Sequence, residues 1–283
     1  MVLRDIRELT ADQAAYAEEL RRRWGGLLSY RYIGRMFSSM DNNSDDTVVL
    51  RHDMRNATGG ILFAVLGISS PEGGGMTDLT AVPNPVIHST QILDPGYDVK
   101  RIEVLSQTLR TGRQMSYSRS RIVDADDHSR TLALTEGQGV AIGTPPEGLE
   151  LMDTQTIDVV DSPDLPPLWQ VFGASRRDDG HWAIPELAVE LASPDAALHI
   201  GPQFVVLETA ALDLASSLAK TERLQGISSH VMFLARGKEG PFRAEGEAFH
   251  GVDGTIGARL VMIDEGAGGR AISTGSYVFR VVP

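Results

Sequence analysis

The sequence predicts an α+β fold made of two tandem domains, each an antiparallel sheet wrapped around a central helix. An internal repeat with a period near 140 residues almost fills the 283-residue chain when it is doubled. Each half contains one apolar helix followed by several strands. Regular alternation of strands and helices, which is typical of parallel sheets, does not occur in either half. These three observations favour antiparallel sheets, each with its own helix.

The repeat is visible at two places in the chain. The glycine-led apolar stretch 59–69 resembles the stretch 200–210 at an offset of 141 residues. Further along, a second set of residues matches at an offset of 140. Its members are Val123, Asp124 and Arg130 in the first half and Ile263, Asp264 and Arg270 in the second. Because the two offsets agree within one residue, we interpret the chain as a duplicated domain.

Each half is built around one apolar helix. Residues 203–219 are apolar or small at nearly every position, and a helix that is apolar nearly all round is buried. The corresponding helix of the first half is predicted over residues 59–70. Two more helices are predicted near the N-terminus, one from the capping residue Thr10 to Gly26 and one over residues 28–40. Each long helix should therefore be covered by its own sheet.

Antiparallel strands follow each apolar helix. Apolar stretches separated by short turns predict a meander in both halves. The predicted strands are 97–109, 113–123 and 130–142 in the first half, and 227–235, 242–250, 255–263 and 270–282 in the second. Between the halves, the proline-rich stretch 144–182 predicts a long connection. The expected domain limits are 1–145 for the N-terminal helices and the first sheet domain, 146–180 for the linker, and 181–283 for the second sheet domain.

Composition and charge restrict the function. The chain has 26 basic and 38 acidic residues, and the resulting net charge of −12 repels nucleic acid unless a local basic patch overrides it. It has no cysteine, which excludes disulfides, thiolate nucleophiles and cysteine-bound metals. Charged residues near the start and the lack of a long apolar run predict a cytoplasmic protein without a membrane span. No cofactor and no metal site are expected.

An apolar helix that begins with glycines and leads into three or four antiparallel strands resembles the hotdog fold of the acyl-CoA thioesterase superfamily. The strand texture of residues 108–134 and 229–249 carries the same resemblance. In that superfamily the helix begins with a His-Gly-Gly signature, and an acid lies nine residues after the histidine. Here His199 and Gly201 precede Glu208 at that spacing. The resemblance covers both halves and implies a tandem hotdog protein.

The two halves keep different parts of this signature. The first half keeps the glycines, Gly59 and Gly60, but has Gly67 at the position of the acid. The second half keeps the acid, Glu208, and has Ile200 in place of one glycine. Eight helical residues span about 12 Å, so one helix cannot bring its own acid and glycine to one thioester. The resemblance therefore implies a composite site, in which Glu208 faces the start of the first-half helix.

This site implies an acyl-CoA thioesterase-like hydrolase. The amides of Gly59 and Gly60, expected to be unpaired at the helix start, would stabilise the oxyanion of the thioester carbonyl. Glu208 would activate water as a general base or attack directly as a nucleophile. Asn56 is a candidate for orienting the carbonyl, and Ser228 is a candidate for assisting from the strand after the helix.

The second candidate function is a non-catalytic protein that binds acyl-CoA or an acyl chain. The missing acid of the first half and the incomplete signature of the second half favour it. The expected partner in both cases is an acyl-CoA or a related thioester, and a homo-oligomer of tandem-hotdog chains is one expected form. The candidates for contacting a coenzyme A phosphate are Arg101, Arg110, Arg113, Arg119 and Arg121.

Overall fold

A computed structural model describes residues 3–34, 47–70, 82–142 and 156–283 of the chain. Its largest element is one antiparallel sheet of eleven strands. The strands are β1 (Thr47–Val49), β2 (Val82–Ile92), β3 (Arg101–Thr111), β4 (Met115–Asp124), β5 (Asp127–Ile142), β6 (Ser175–Arg176), β7 (Trp182–Ile184), β8 (Leu224–Phe233), β9 (Phe242–His250), β10 (Thr255–Asp264) and β11 (Arg270–Val281). The α-helices are α1 (Gln13–Gly26), α2 (Leu28–Ile33), α3 (Phe63–Ser69), α4 (Leu168–Val171) and α5 (Ile200–Ala219).

The order of the strands shows the duplication. It runs β1-β3-β4-β5-β2-β8-β11-β10-β9-β7-β6, so the two halves mirror each other from the centre outward apart from the extra edge strand β6. The centre is the antiparallel pair β2–β8, in which Ser89 lies opposite His230. Two sheets therefore join edge to edge about a pseudo-two-fold axis, and the predicted α+β architecture of two helix-wrapped antiparallel sheets is confirmed.

Most strands follow the sequence prediction closely. Strand β9 has the predicted bounds, and β8, β10 and β11 differ from theirs by at most three residues. Strand β2 was not predicted, although it forms the junction between the halves. Its first residues include Pro83 and Pro85, which indicate a turn in the sequence, and its pairing with β5 shifts register directly after Pro85.

The helix boundaries require corrections. Helix α1 is capped by Asp12 rather than Thr10, because the Asp12 carboxylate accepts a hydrogen bond from the amide of Ala15 at 3.1 Å. Helix α3 begins at Phe63, four residues later than predicted, and α5 begins at Ile200, three residues earlier. The predicted helix 28–40 is too long: α2 ends at Ile33, where Gly34 adopts a left-handed conformation and its amide donates to the carbonyl of Tyr30. Residues 35–40 lie outside the described residues.

These helix starts change the alignment of the two repeats. Leu62 precedes α3 as its N-cap and His199 precedes α5, which gives an offset of 137 (199 − 62). Strands β4 and β10 end at Asp124 and Asp264, which confirms the offset of 140 (264 − 124) for the strands. The offset of 141 at the helix starts is wrong. At an offset of 137 the counterpart of Glu208 is residue 71, not Gly67, and residue 71 lies outside the described part of the chain.

The two central helices pack against each other in the core. Gly67 of α3 lies against Phe204 of α5, where a Cβ atom would be 3.0 Å from the phenyl ring. Among the described helices, none is long and apolar enough to cross a lipid bilayer. The domain limits at residues 145 and 180 stay a prediction, since residues 143–155 fall outside the described segments.

Candidate active site

Glu208 extends from α5 to the start of α3. Its Oε1 accepts a hydrogen bond from the amide of Phe63 at 2.8 Å, and its Oε2 accepts one from the amide of Ala64 at 2.7 Å. The first amides of a helix have no acceptor within that helix, and they carry the positive end of its dipole. The acid of the second repeat therefore contacts the helix start of the first repeat.

The two glycines before α3 have a different role from the one expected. The amide of Gly59 donates to the carbonyl of Asn56 at 2.9 Å, and the amide of Gly60 donates to the Asn56 side chain at 3.1 Å. The expectation that these amides are unpaired at a helix start is wrong. The glycines form a turn that precedes the helix, and Gly59 has a φ of +87°, which favours glycine. The amides that meet Glu208, those of Phe63 and Ala64, lie four residues further along the chain.

Asn56 holds this turn in place. Its Oδ1 accepts hydrogen bonds from the amide and the hydroxyl of Thr58 as well as from Gly60. Its Nδ2 donates to the carbonyl of Leu224 at the start of β8, at 3.0 Å. Because β8 belongs to the second repeat, Asn56 ties the turn to the opposite half of the molecule. These contacts make it a positioning residue for the wall of the site.

Glu208 is almost completely buried, with 4% of its surface exposed. Burial raises its pKa to about 7, and the two amide hydrogen bonds oppose that rise. Near neutral pH the carboxyl is thus close to half ionised, the state in which a group both accepts and releases protons readily. The neighbouring Tyr277 is also buried, and its pKa is raised by burial and by the charge of Glu208.

This burial predicts a pH dependence of stability. The pKa of Glu208 in the fold lies above the value of 4.5 for an ordinary glutamate, so protonation favours the folded state. The stabilisation is complete below about pH 4.5 and is lost as the pH rises through 7, a change of about 3 kcal/mol at 1.36 kcal/mol per pKa unit. Burial lowers the pKa of His88 and of His199, and these two groups change the stability of both proteins in the opposite sense over this range. The loss is therefore measured as a difference: urea unfolding should show that the stability of the wild type relative to Glu208→Gln falls between pH 5 and pH 8. Parallel pH profiles for the two proteins would contradict the raised pKa.

A pocket of about 280 Å³ opens beside Glu208. Its polar lining includes Asp53, Arg55 and Asn56 from the segment before α3, and one wall comes from the connection between the halves, which was predicted only as a linker. Because residues from both repeats and the connection meet here, the pocket is a composite of the whole chain. Its apolar lining includes Leu62, Ala64, Leu168, Trp169, Val205 and Leu212.

The corresponding place at the start of α5 is filled. The Ser29 hydroxyl of α2 lies 2.9 Å from Nδ1 of His199, and a Cβ atom on Gly201 would lie 2.1 Å from that hydroxyl. The ring of Tyr30 packs edge-on against the His199 ring at 5.2 Å. His199 caps α5 through Gly201, and burial lowers its pKa to about 3. Helix α2 therefore closes the second groove and leaves His199 a structural role.

Ser228 does not reach the pocket at Glu208. The pairing of β8 with β11 shifts register around residue 227. After this shift the buried residues of β8 form a series that includes Ser229 and Val231. Ser228 is half-buried and lies outside this series. The sequence could not reveal the bulge, because a one-residue shift reverses the facing of every following side chain without a change in composition.

No protein-family model matches the sequence, and no curated protein matches it. Solved structures do match the fold. The acyl-CoA thioesterase II TesB2 from Mycobacterium marinum is 14% identical over 86% of this chain and 95% of its own, with a TM-score of 0.56. A protein of unknown function with a hot dog fold from Alicyclobacillus acidocaldarius is 11% identical over 89% of this chain and 95% of its own, with a TM-score of 0.56.

A third structure, a tesB protein from Mycobacterium avium subspecies paratuberculosis, is 12% identical over 84% of this chain and 93% of its own, with a TM-score of 0.54. Each similarity extends over most of both chains, so it includes both repeats. At these identities the similarity shows the fold, and the predicted tandem hotdog architecture is confirmed.

Proposed function

We propose that this tandem hotdog protein hydrolyses a thioester of the acyl-CoA type in the groove between its repeats, with Glu208 as the catalytic residue. The observation that carries the proposal is the state of Glu208, a buried carboxyl with a pKa of about 7 beside a pocket with one apolar side. An acid in an apolar helix is costly to bury, and perturbed carboxyls in clefts are typical of catalytic sites.

In the general-base route, ionised Glu208 takes a proton from a water molecule as the water oxygen attacks the thioester carbonyl carbon. The tetrahedral intermediate then collapses, the carbon–sulfur bond breaks, and Glu208 returns its proton to the departing thiolate. The products are a carboxylic acid and a thiol. In the nucleophilic route, Glu208 forms an anhydride with the acyl group, releases the thiol and is regenerated by water. Both routes consume one water molecule and give the same products.

The oxyanion donors in this proposal are the amides of Phe63 and Ala64 instead of the two glycines. Each amide holds one oxygen of Glu208 in the resting protein. When the Glu208 carboxyl turns toward the water, it keeps one of its two amide hydrogen bonds and releases the other amide. The thioester carbonyl then accepts a hydrogen bond from the released amide. A single oxyanion donor contributes about 2.7–4 kcal/mol to the stabilisation of such an intermediate.

The acyl group fits the apolar side of the pocket, which Leu62, Val205 and Leu212 line together with Trp169. The name of the Mycobacterium marinum neighbour, an acyl-CoA thioesterase, supports coenzyme A as the carrier. A cytoplasmic location and a homo-oligomer stay predictions from the sequence.

One observation favours the non-catalytic alternative, a binding protein for an acyl thioester. Both Glu208 oxygens are already bound by backbone amides, an arrangement that also suits a structural cap of α3. In a binding protein the same pocket would hold the acyl group, and Glu208 would stay on its amides throughout.

A thiol-release assay with short, long and aromatic acyl-CoAs separates the two functions. We expect the full chain to release free coenzyme A thiol from at least one member of this panel. Calorimetric titration of the same thioesters provides the second measurement. Binding without thiol release would favour the binding protein. The absence of both binding and thiol release would contradict both functions.

A further inference from the structure

A second open groove lies at the tip of the β3–β4 hairpin. Its volume is about 540 Å³, and its lining includes Arg110, Arg113 and Tyr117. Arg110 and Tyr117 lie directly opposite each other on the two strands. The tight turn between them is closed by a hydrogen bond of 2.7 Å from the amide of Gly112 to the carbonyl of Met115. Two guanidinium groups and an aromatic ring thus border one groove.

The two guanidinium groups, those of Arg110 and Arg113, form no ion pair with any carboxylate in the described part of the chain. Two other exposed arginines of the sheet do have such partners: Arg101 pairs with Asp126, and Arg259 pairs with Glu247. In a protein with a net charge of −12, two neighbouring cations that pair with no described carboxylate form a local basic patch that favours an anionic ligand.

The backbone of the hairpin does not require these side chains. In the second repeat, the turn between β9 and β10 is closed in a similar way, by a hydrogen bond of 2.7 Å from the amide of Gly251 to the carbonyl of Thr255. By strand pairing, Arg110 and Tyr117 face each other in the first repeat as Phe249 and Gly257 do in the second, and Arg113 lies in the turn, where the second repeat has Asp253. The corresponding hairpin of the second repeat therefore forms without the two arginines and the tyrosine, so these side chains are not needed for the fold of the hairpin.

The groove is remote from the pocket at Glu208. Strand β8 begins beside that pocket, where Asn56 binds Leu224. The strand pairings from β8 through β2 and β5 to β4 place Ser228 of β8 in the same cross-strand row as Arg121 of β4. Arg113 lies eight residues from Arg121 in the direction away from the pocket, about 26 Å at 3.3 Å per residue. A ligand at the tip is therefore independent of the proposed hydrolysis.

We propose that the hairpin groove binds a nucleoside diphosphate or a derivative of one. Guanidinium groups bind phosphate oxygens through paired hydrogen bonds, and two of them match two linked phosphates. An exposed tyrosine ring offers a face on which a nucleobase stacks. Arg110 and Arg113 hold the phosphates, and Tyr117 holds the base.

Calorimetric titration of the full chain with pyrophosphate and with ADP tests this site. We expect both to bind, ADP more tightly, and both affinities to fall with added salt. The double variant Arg110→Gln, Arg113→Gln should lose at least about tenfold in affinity for both ligands. Tyr117→Ala should lose about tenfold for ADP and nothing for pyrophosphate, because only ADP carries a base. The control Arg259→Gln, which removes an ion-paired arginine of the second repeat, should bind as the wild type does.

Coenzyme A, which contains a nucleoside diphosphate, is the third titrant. If coenzyme A as well as ADP binds in an arginine-dependent way, coenzyme A is one source of the nucleotide that this groove binds. If ADP binds and coenzyme A does not, the ligand of the groove is the free nucleotide. The site is overturned if neither pyrophosphate nor ADP binds, or if the double arginine variant binds them unchanged. Since no thioester is used, these results do not depend on whether the protein is a hydrolase.

Discussion

The Glu208→Gln variant is expected to release thiol about 10²- to 10⁴-fold more slowly than the wild type, the loss typical of a missing general acid–base group. Glutamine keeps the length and shape of the side chain, but it cannot take a proton from water. The measurement is kcat and KM for the best acyl-CoA of the panel. The loss should lie in kcat, because the apolar lining that holds the acyl group is unchanged. The wild-type rate should rise with pH about a midpoint near 7, the pKa of Glu208.

The glutamine also changes the start of α3. Its Nε2 group is a donor, and it faces an amide of Phe63 or Ala64 that donated to the carboxylate. One buried amide is then unpaired, at a cost of about 1–3 kcal/mol. Thermal unfolding is needed to show that the assayed variant is folded. Glu247→Gln, an exposed acid on β9, is the matched control and should keep the wild-type rate. Equal turnover in the wild type and Glu208→Gln would exclude Glu208 as the catalytic residue.

The elements that could be predicted from the sequence are those in which periodicity and packing agree. Helix α5 is apolar nearly all round and lies in the core, and the buried positions of β10 alternate along its whole length as its sequence indicates. The start of α3 was placed too early because Gly59 and Gly60 look like a helix start in the sequence. Their backbone forms a turn around Asn56, which depends on contacts across the two repeats.

The candidate site was predictable in part. Glu208 is conspicuous in the sequence because it is one of only two acids in an apolar helix. Its hydrogen-bond partners are backbone amides, which have no signature in the sequence, and their positions depend on how α3 crosses α5. The wall formed by Leu168 and Trp169 was missed, although two large apolar residues in a proline-rich connection indicate a packed segment.

The Gly67→Asp variant is expected to lose about 3–5 kcal/mol of folding free energy, the cost of an uncompensated buried charge. If Gly67 were the vacant position of an acid, this change would restore an acid to the second groove. In the structure, a Cβ atom at Gly67 already approaches the Phe204 ring to 3.0 Å, so a carboxylate there would lie against an apolar surface. Urea unfolding at pH 5 and pH 8 measures the loss, with Gly67→Ala as the control.

Alanine separates the effect of volume from the effect of charge. It adds the same Cβ atom, for which overpacking costs about 1–3 kcal/mol, and it brings no carboxylate. Burial would raise the pKa of the new aspartate, so its stability should fall further below that of Gly67→Ala as the pH rises from 5 to 8. No hydrolysis is expected at the second groove, because Ser29 and Tyr30 of α2 fill it. Thiol release by the double variant Glu208→Gln, Gly67→Asp at the wild-type rate would show that the second groove opens and that its acid position is Gly67 after all.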